Sequence, residues 1–399
     1  MPPAQREMEA GPRRQRALEV LGVFLKIGLL GYGGPAVTVA MMEEEAVTRR
    51  RWVSRQDFLD LMGLTNLIPG PNATEMAIHL GLLRAGWPGF WLAGAAYTIP
   101  AAAATLAVAW AYLRFGALPA LAPFLAGVKP AVLSVVLAAL WRLSRNAVKT
   151  PRLAAIGLAV LSASLLGASE IPLLFVGGLL GMLWLRSNEI ARRLRPPGLG
   201  ALSLLMPTIG ATGRGALQAA EASHPPLWDL FWFFFLRVGA VLYGSGYVLL
   251  ALLQGGLVRD LQWLSQPVLL DAIAAGQFTP GPLLSTATFV GYVLRGVPGA
   301  ILATVGVFLP SFIFVAALHR VLPRFRRSAW ASAFLDSVNV ASLGLMATVT
   351  VKLGAATLTD WRALLIALVA AVLALRWKAN GAVLVLAGAL AGWLLHLAH

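Results

Sequence analysis

Apolar stretches long enough to form membrane-crossing helices recur along the chain and limit its fold more than any other feature. Such stretches occupy residues 87–113, 119–141, 298–318, 361–375 and 380–397. A helix of about 20 apolar residues crosses the roughly 30 Å of hydrocarbon in a bilayer. The chain is 58% hydrophobic and only 12% charged, whereas a soluble domain carries about a quarter charged residues. The sequence therefore predicts an all-α polytopic membrane protein.

The net charge of +15 does not indicate a nucleic-acid partner, because the cations lie in short runs between the apolar stretches. These runs are at 49–51, 142–152, 192–195 and 324–327. Cationic loops of this kind fix the orientation of a membrane protein. The chain has no cysteine and five histidines, and it contains no Gly-x-x-x-x-Gly-Lys-Ser/Thr phosphate loop. We therefore expect no cofactor, no metal site, no catalytic residue and no ATP drive.

The two halves of the chain repeat each other at an offset of 211 residues. Phe-Leu-Lys-Ile-Gly at 24–28 matches Phe-Leu-Arg-Val-Gly at 235–239, and Pro-Gly-Pro occurs at 69–71 and 280–282. The other aligned pairs are Tyr32 with Tyr243, Trp52 with Trp263, Asp60 with Asp271 and Arg84 with Arg295. A one-residue gap then shifts the offset to 210, which aligns Pro100 with Pro310. Apolar composition alone does not produce such a series of matches at a fixed offset, so the repeat is an internal duplication.

The duplication divides the chain into four segments. Residues 1–17 form a polar N-terminal tail, 18–185 the first transporter repeat, 186–226 a linker and 227–399 the second transporter repeat. Two homologous halves with a substrate site at their interface are typical of secondary transporters.

The predicted spans follow the apolar stretches. In the first repeat they are 18–42, 87–113, 119–141, 153–168 and 171–185, and in the second 227–253, 298–318, 330–353, 361–375 and 380–397. The Pro-Gly-Pro segments 57–83 and 268–294 are predicted to enter the membrane and return as re-entrant helical hairpins. This arrangement inverts the second half relative to the first and places the N-terminal tail outside. If residues 18–47 turn back at 31–34 instead, the tail moves inside and the repeats become parallel.

Each Pro-Gly-Pro break follows an amide residue, Asn66 or Gln277. Proline interrupts a helix, and the N–H groups at the start of the next helix attract anions. Asn72 is expected to cap the first of these helices, with Glu75 as its capping-box partner. The expected anion-binding residues at the breaks are Asn66, Gly70, Asn72, Gln277, Gly281, Ser285 and Thr286, with Pro69, Pro71, Pro280 and Pro282 as the structural breaks. The alternative is that the prolines only kink the helices.

Lys26 and Arg237 occupy the same repeat position, inside predicted spans and shortly before a Tyr-Gly break. A cation inside a span costs at least about 2.5 kcal/mol on insertion scales, so we expect both to bind substrate. Snorkelling to the nearer interface is the alternative. Lys129 is a third candidate cation. The neighbouring residues expected to contribute are Tyr32, Gly33, Gly34, Tyr243 and Gly244.

Two acids lie within the apolar segments, Glu75 after the first break and Asp336 in the span 330–353. Either one is a candidate for carrying a proton if transport is proton-coupled. A structural cap is the alternative for Glu75. Any anion cage at the breaks is expected to be asymmetric, because residues 72–75 are Asn-Ala-Thr-Glu where 283–286 are Leu-Leu-Ser-Thr.

The sequence resembles the chromate ion transporter family. The resemblance rests on FLKIGLLGYGGPAV (24–37), RRRWVSRQDFLDLMGLTNLIPGP (49–71) and GLLRAGWPGFWLAGAAYTIP (81–100), with weaker copies in the second half. The double-length chain is similar to the two-domain members. The resemblance implies a multi-pass protein of the inner membrane that exports chromate and confers chromate resistance, with sulfate as a related substrate. The expected partners are this oxyanion and the lipid bilayer, and a homodimer stays open.

Alternative functions remain at this stage. Sulfate has the same charge and tetrahedral shape as chromate, and an anion channel would use the same residues as a carrier. An intramembrane enzyme acting on a lipid phosphate would need a general base or a metal cluster. The chain offers no paired-acid or His-x-x-x-His motif for it.

Overall fold

The computed structural model describes residues 12–32, 35–65, 68–116, 122–187, 226–243, 246–318, 328–377 and 379–397. Within these residues the regular structure is helical. The helices of the first half are α1 (Arg13–Leu30), α2 (Pro35–Glu43), α3 (Arg55–Thr65), α4 (Asn72–Phe115), α5 (Ala122–Ala147), α6 (Pro151–Leu165) and α7 (Glu170–Leu185). Those of the second half are α8 (Leu236–Val241), α9 (Val248–Leu253), α10 (Gln266–Phe278), α11 (Thr286–Leu318), α12 (Ala329–Thr357), α13 (Trp361–Arg376) and α14 (Gly381–Leu397).

Short irregular helical turns adjoin four of these helices. A π-helical turn, Glu44–Arg49, extends α2, and two others, Asp229–Phe235 and Gln254–Asp260, precede α8 and extend α9. A 3₁₀ turn, Leu283–Ser285, leads into α11. Such turns often occur at functional sites.

Four helical segments of the described chain are long and apolar enough to cross a membrane: Asn72–Phe115, Ala122–Ala147, Leu283–Ala317 and Ala329–Thr357. The helices α6, α7 and α14 are shorter but also apolar. The all-α fold is confirmed, and these helices fit a membrane protein.

The longest helices, α4 and α11, are each folded into a hairpin at a glycine. Gly86 has φ 67° and Gly296 has φ 62°, a region that residues with a Cβ seldom enter. The arms of the first hairpin touch at Gly81 and Gly89, where a Cβ on either would collide with the other's carbonyl oxygen. The second hairpin closes in the same way. The outgoing arm of α4 therefore starts at the predicted beginning of the span 87–113.

The prediction of one continuous span over 18–42 is wrong, because α1 ends at Leu30 and α2 runs back beside it. Lys26 bonds to Glu45 at 2.6 Å, and the Trp52 indole N–H donates to Glu19 at 3.1 Å. These pairs make α1 and α2 antiparallel. Gly31 has the non-helical angles φ −78° and ψ 63°, so the turn falls at the alternative position. Its two central residues, Gly33 and Gly34, lie outside the described chain.

The predicted span 227–253 is also divided, for the same reason. Leu242 leaves the helix at ψ 102°, and α9 begins at Val248. Gly256 then packs against the ring of Phe234, so the chain has turned back on itself. Gly244, an expected site residue at this turn, lies outside the described residues.

Long helices of each half pack against helices of the other half. α5 runs antiparallel to α14, with Gly127 against Gly392 at one end and Val135 against Gly381 at the other. Glycines at such a crossing let two helix backbones approach closely. In the corresponding arrangement, α12 of the second half packs against α6 and α7 of the first.

The helices α5 and α12 are repeat equivalents that run in opposite directions. Lys149, just after α5 ends, bonds to Asp336 near the start of α12 at 2.8 Å. Arg186, after α7, donates to the carbonyl of Ala329 at 2.8 Å. The end of α5, the end of α7 and the start of α12 therefore lie at one end of the molecule.

Candidate functional site

The two Pro-Gly-Pro breaks meet the other half of the protein through matching backbone hydrogen bonds. The Gly70 N–H donates to the Leu242 carbonyl at 2.5 Å, and the Gly281 N–H donates to the Gly31 carbonyl at 3.1 Å. Gly70 and Gly281 are repeat equivalents, and so are Gly31 and Leu242. The breaks in each half therefore lie at the interface between the halves, where the candidate site was expected.

The first break starts its new helix differently from the prediction. Pro71 is the N-cap of α4, with φ −79° and ψ 105°, and no side chain caps the helix. The expected Asn72 cap and Glu75 capping box are therefore wrong. The Glu75 N–H instead bonds to the Pro71 carbonyl at 3.2 Å, which leaves the Glu75 carboxyl to lie against Gly70.

The Glu75 carboxyl is fully buried, and neither of its oxygens has a hydrogen-bond partner in the described structure. It lies where a Cβ on Gly70 would be, and that same position is 2.6 Å from the Ser311 hydroxyl. The Ser311 hydroxyl is also buried without a partner. Tyr243 is within electrostatic range of the carboxyl. An acid and a hydroxyl therefore face each other across the first break.

The second break carries hydroxyl groups and no acid at the equivalent position. The Thr279 hydroxyl accepts from Thr105 at 3.0 Å and lies 3.3 Å from the Ser285 hydroxyl. Thr286 takes the repeat position of Glu75, and its hydroxyl donates to the Leu283 carbonyl. Beside Gly281 lies Ala101, the repeat equivalent of Ser311. The two breaks thus have the same backbone contact and different chemistry.

The amide of Gln277 precedes the second break and is buried. Its nitrogen has no hydrogen-bond partner in the described structure. Asn66, the corresponding amide of the first half, lies outside the described residues.

Lys26 is neutralised within its own half. It bonds to Glu45 at 2.6 Å, and Glu45 also accepts from Arg50 at 3.1 Å. The hydrogen bond from Lys26 holds the pKa of the Glu45 carboxyl below its usual value. The Lys26 side chain is 45% exposed. No described contact joins it to Arg237.

Arg237 has a different environment from its repeat equivalent. Its side chain is exposed and lines a cavity of about 590 Å³, which Gly256 and Trp263 also line. Gly256 is the repeat equivalent of Glu45, so the acid that neutralises Lys26 is replaced here by a hydrogen atom. The guanidinium group makes no recorded hydrogen bond or ion pair with a described residue.

Three acids also line this cavity, and two of them are already paired. Arg259 holds Glu170 with two hydrogen bonds of 2.9 Å and Asp260 with one of 2.8 Å. The third acid is Asp229. The cavity is therefore not a strongly negative site, and Arg237 is its unpaired cation among the described residues.

The remaining candidates lie elsewhere. Lys129 is half-buried on α5, and Asp336 is held by Lys149 near the start of α12. Tyr32 is exposed, and its carbonyl accepts from Asn380 at 3.4 Å. Within the described residues no group of three or more His, Asp or Glu is arranged to hold a metal ion.

Sequence reasoning missed Ser311 and the difference between Glu45 and Gly256. Both would have been found by comparing the two halves position by position, including the positions where their residues differ. At offsets of 211 and 210, Glu45 falls on Gly256 and Ala101 falls on Ser311.

A helical membrane protein with two related halves that meet at paired helix breaks has the organisation of a secondary transporter. Comparison with known sequences gives the family. A sequence model described as chromate transporter matches residues 18–182 and 228–393, and the chain belongs to that family. The resemblance stated from the sequence motifs is confirmed. Because this is a family of transport proteins, the alternative of an intramembrane enzyme is excluded.

Three relatives are similar over most of their length. The chromate transport protein of Cupriavidus metallidurans is 30% identical over 92% of this chain and 90% of its own. The probable chromate transport protein of Synechococcus elongatus is 30% identical over 89% and 88%. The chromate transport protein of Pseudomonas aeruginosa is 30% identical over 97% and 94%. No solved structure matches.

Proposed function

We propose that this protein is a secondary transporter that carries chromate out of the cell across the inner membrane and thereby confers chromate resistance. The names of three relatives support chromate as the substrate. Sulfate is the second candidate, because it has the same charge and tetrahedral shape. A channel for either anion is the remaining alternative, and it is distinguished by the absence of counterflow.

The transporter is built from inverted repeats with its N-terminal side inside, although the sequence predicted that a turn at 31–34 would make the repeats parallel. This proposal is supported by the opposite directions of α5 and α12, with the end of the first beside the start of the second. The end of the molecule that holds the starts of α1, α6 and α12 also carries seven described cations: Arg13, Arg50, Arg84, Arg145, Lys149, Arg152 and Arg186. Loops rich in Lys and Arg face the cytoplasm, so this end is cytoplasmic.

Arg237 is the cation that receives the oxyanion. The observation that carries this assignment is the cavity beside Arg237, which Gly256, the repeat equivalent of Glu45, also lines. A guanidinium group forms bidentate hydrogen bonds with tetrahedral oxyanions. Lys26 contributes less, because Glu45 already neutralises it. Lys26 is paired with an acid and Arg237 is not, so the anion prefers the Arg237 side of the interface.

The oxyanion passes the second break rather than the first. Hydroxyl groups and helix N–H groups at 279–286 provide hydrogen bonds to an anion, and no acid is recorded beside them. The first break contains the buried Glu75, which would repel a dianion whenever it is ionised. Glu75 therefore serves as a proton carrier at the interface. The Pro-Gly-Pro segments act as re-entrant hairpins that bring the two breaks together.

The test uses purified protein in proteoliposomes, with chromate flux measured for the wild type and for Arg237→Gln, which removes the cation. We expect this variant to lower flux at least about tenfold, since the loss of one charged hydrogen-bonding partner costs about 1.5–3 kcal/mol. Lys26→Gln is the matched control and should keep flux within about threefold, because Glu45 retains Arg50.

The outcomes separate the parts of the proposal. Wild-type protein that carries sulfate but not chromate would overturn the substrate, and flux without counterflow would identify a channel. Equal losses in the Arg237 and Lys26 variants would overturn the assignment of the anion to one cavity.

A further inference from the structure

Asp271 is a buried acid at the interface between the halves that the proposed site does not use. It lies in α10, the helix that leads into the second break, and only 7% of it is exposed. One carboxyl oxygen accepts a hydrogen bond of 2.9 Å from the Tyr112 hydroxyl on α4. The other oxygen is buried without a hydrogen-bond partner in the described structure. A carboxylate normally accepts several hydrogen bonds, so half of this one is unsatisfied.

The cation that acts on Asp271 is Lys129. It lies on α5, which packs against α10, and its charge reaches the Asp271 carboxyl. Its ammonium group makes no recorded hydrogen bond or ion pair with a described residue. Of the described groups on the helices that pack against α10, the ones that act electrostatically on Asp271 are Lys129 and Tyr112. The acid and the cation are thus close but not locked together.

This arrangement belongs to the second half alone. The repeat equivalent of Asp271 is Asp60, which is half exposed and accepts from Gln56 at 3.3 Å. The equivalent of Lys129 is Asn339. A contact needed only to pack α10 or its counterpart α3 would be expected in both halves. The difference instead indicates that α10 has a role that α3 does not have.

We propose that Asp271 binds one proton each time an oxyanion received at Arg237 moves on to Lys129, so that the proton and the anion are carried together. The inference rests on the proposed function as an oxyanion transporter. Before the anion arrives, the Lys129 charge stabilises the Asp271 carboxylate. The anion then takes Lys129 as its own counter-charge, and the carboxylate is left buried without one. An uncompensated buried carboxylate is strongly unfavourable and neutralises by protonation.

The proton comes from water and returns to water. On anion binding, the unpartnered oxygen of Asp271 forms an O–H bond with a proton delivered from the aqueous side, while Tyr112 stays bonded to the other oxygen. On anion release, Lys129 regains Asp271 as its partner, and the O–H bond breaks with the proton leaving to water. Asp271 therefore contributes one proton per anion in either direction of transport.

The experiment measures protons and chromate together in weakly buffered proteoliposomes that contain a pH indicator. It compares the wild type with Asp271→Asn and with the matched control Asp60→Asn. Protonation of chromate itself is the same for all three proteins and cancels in the comparison. We expect the wild type and the Asp60 variant to move about one proton more per chromate than the Asp271 variant, as linkage requires for a single coupled site. An Asp271 variant with the wild-type ratio would overturn the proposal.

A second variant keeps the carboxyl, in case Asp271→Asn lowers the amount of folded protein. Tyr112→Phe removes the one recorded hydrogen bond to Asp271 and should shift the pH dependence of chromate flux by about one pH unit. A profile that coincides with the wild type would overturn the role of Asp271. Failure of the proposed function looks different, because wild-type protein would then move no chromate at all.

Discussion

The Gly70 N–H of the first half donates to the Leu242 carbonyl of the second half at 2.5 Å, and Gly281 repeats this bond to Gly31 at 3.1 Å. Each bond joins the break of one half to the end of a helix in the other half. A free carbonyl at a helix end buried away from water is costly. Each half therefore supplies the hydrogen-bond partner that the other half's helix end would otherwise lack.

Replacement of Gly70 by alanine should be much more damaging than replacement of Gly86. Both glycines have positive φ, 145° and 67°, which costs other residues about 1–2 kcal/mol. A Cβ on Gly70 would also strike Glu75 and Ser311, whereas one on Gly86 would meet nothing within 4 Å. Thermal unfolding in detergent should rank wild type above Gly86→Ala and Gly86→Ala above Gly70→Ala. Gly22→Ala, in open space with ordinary φ, is the control, and equal midpoints for the Gly70 and Gly86 variants would contradict the crowding at the first break.

Glu75→Gln should fold as well as the wild type but respond less steeply to a pH gradient, because only the proton carried by Asp271 remains. An ionised carboxyl buried without a partner costs several kcal/mol, so a neutral amide of the same shape is tolerated in this position. The measurement is chromate flux with and without an imposed pH gradient, together with the unfolding midpoint. A gradient dependence in Glu75→Gln equal to that of the wild type would remove Glu75 as a proton carrier. Thr286 at the second break is the repeat equivalent of Glu75. Thr286→Val is therefore the control, and it should keep the gradient dependence.

Asp336→Asn should behave almost like the wild type. Asp336 is 29% exposed and its partner Lys149 is 59% exposed, and such surface ion pairs contribute only about 0–1 kcal/mol. We expect flux within about twofold and an unfolding midpoint within a few degrees. Abolition of proton-coupled flux by this substitution would transfer the coupling role from Glu75 and Asp271 to the start of α12.

The two ends of the described chain should lie on opposite sides of the membrane. Arg13 lies at the end of the molecule where the outgoing arm of α4 begins. Leu397 lies beyond Gly392, which packs beside the start of α5. The natural chain has no cysteine, so single Gln15→Cys and Leu397→Cys variants need no background substitutions. A membrane-impermeant maleimide should label only Leu397→Cys in intact cells and both variants in disrupted cells. Labelling of both from outside would contradict the inverted arrangement.

The sequence by itself determined the class of protein and its duplication. Apolar stretches of helix length have no alternative in a membrane, because every backbone group must find a partner within the helix or an adjoining element. The repeat pairs, from Lys26 with Arg237 to Pro69 with Pro280, identified the helix breaks. The helix ends at these breaks follow local rules, since proline and glycine act on the backbone wherever they occur.

Only the tertiary structure decided where the chain turns and which charges are free. Residues 18–42 are apolar enough for one span, but Lys26 and Glu45 meet because α2 folds back on α1, and hydropathy does not record that contact. Lys26 and Arg237 are equivalent in sequence, yet the first is neutralised and the second lines a cavity. That difference depends on residues 19 positions away in each half, Glu45 and Gly256. Contacts of this kind form across helices, and the period of a single helix carries no information about them.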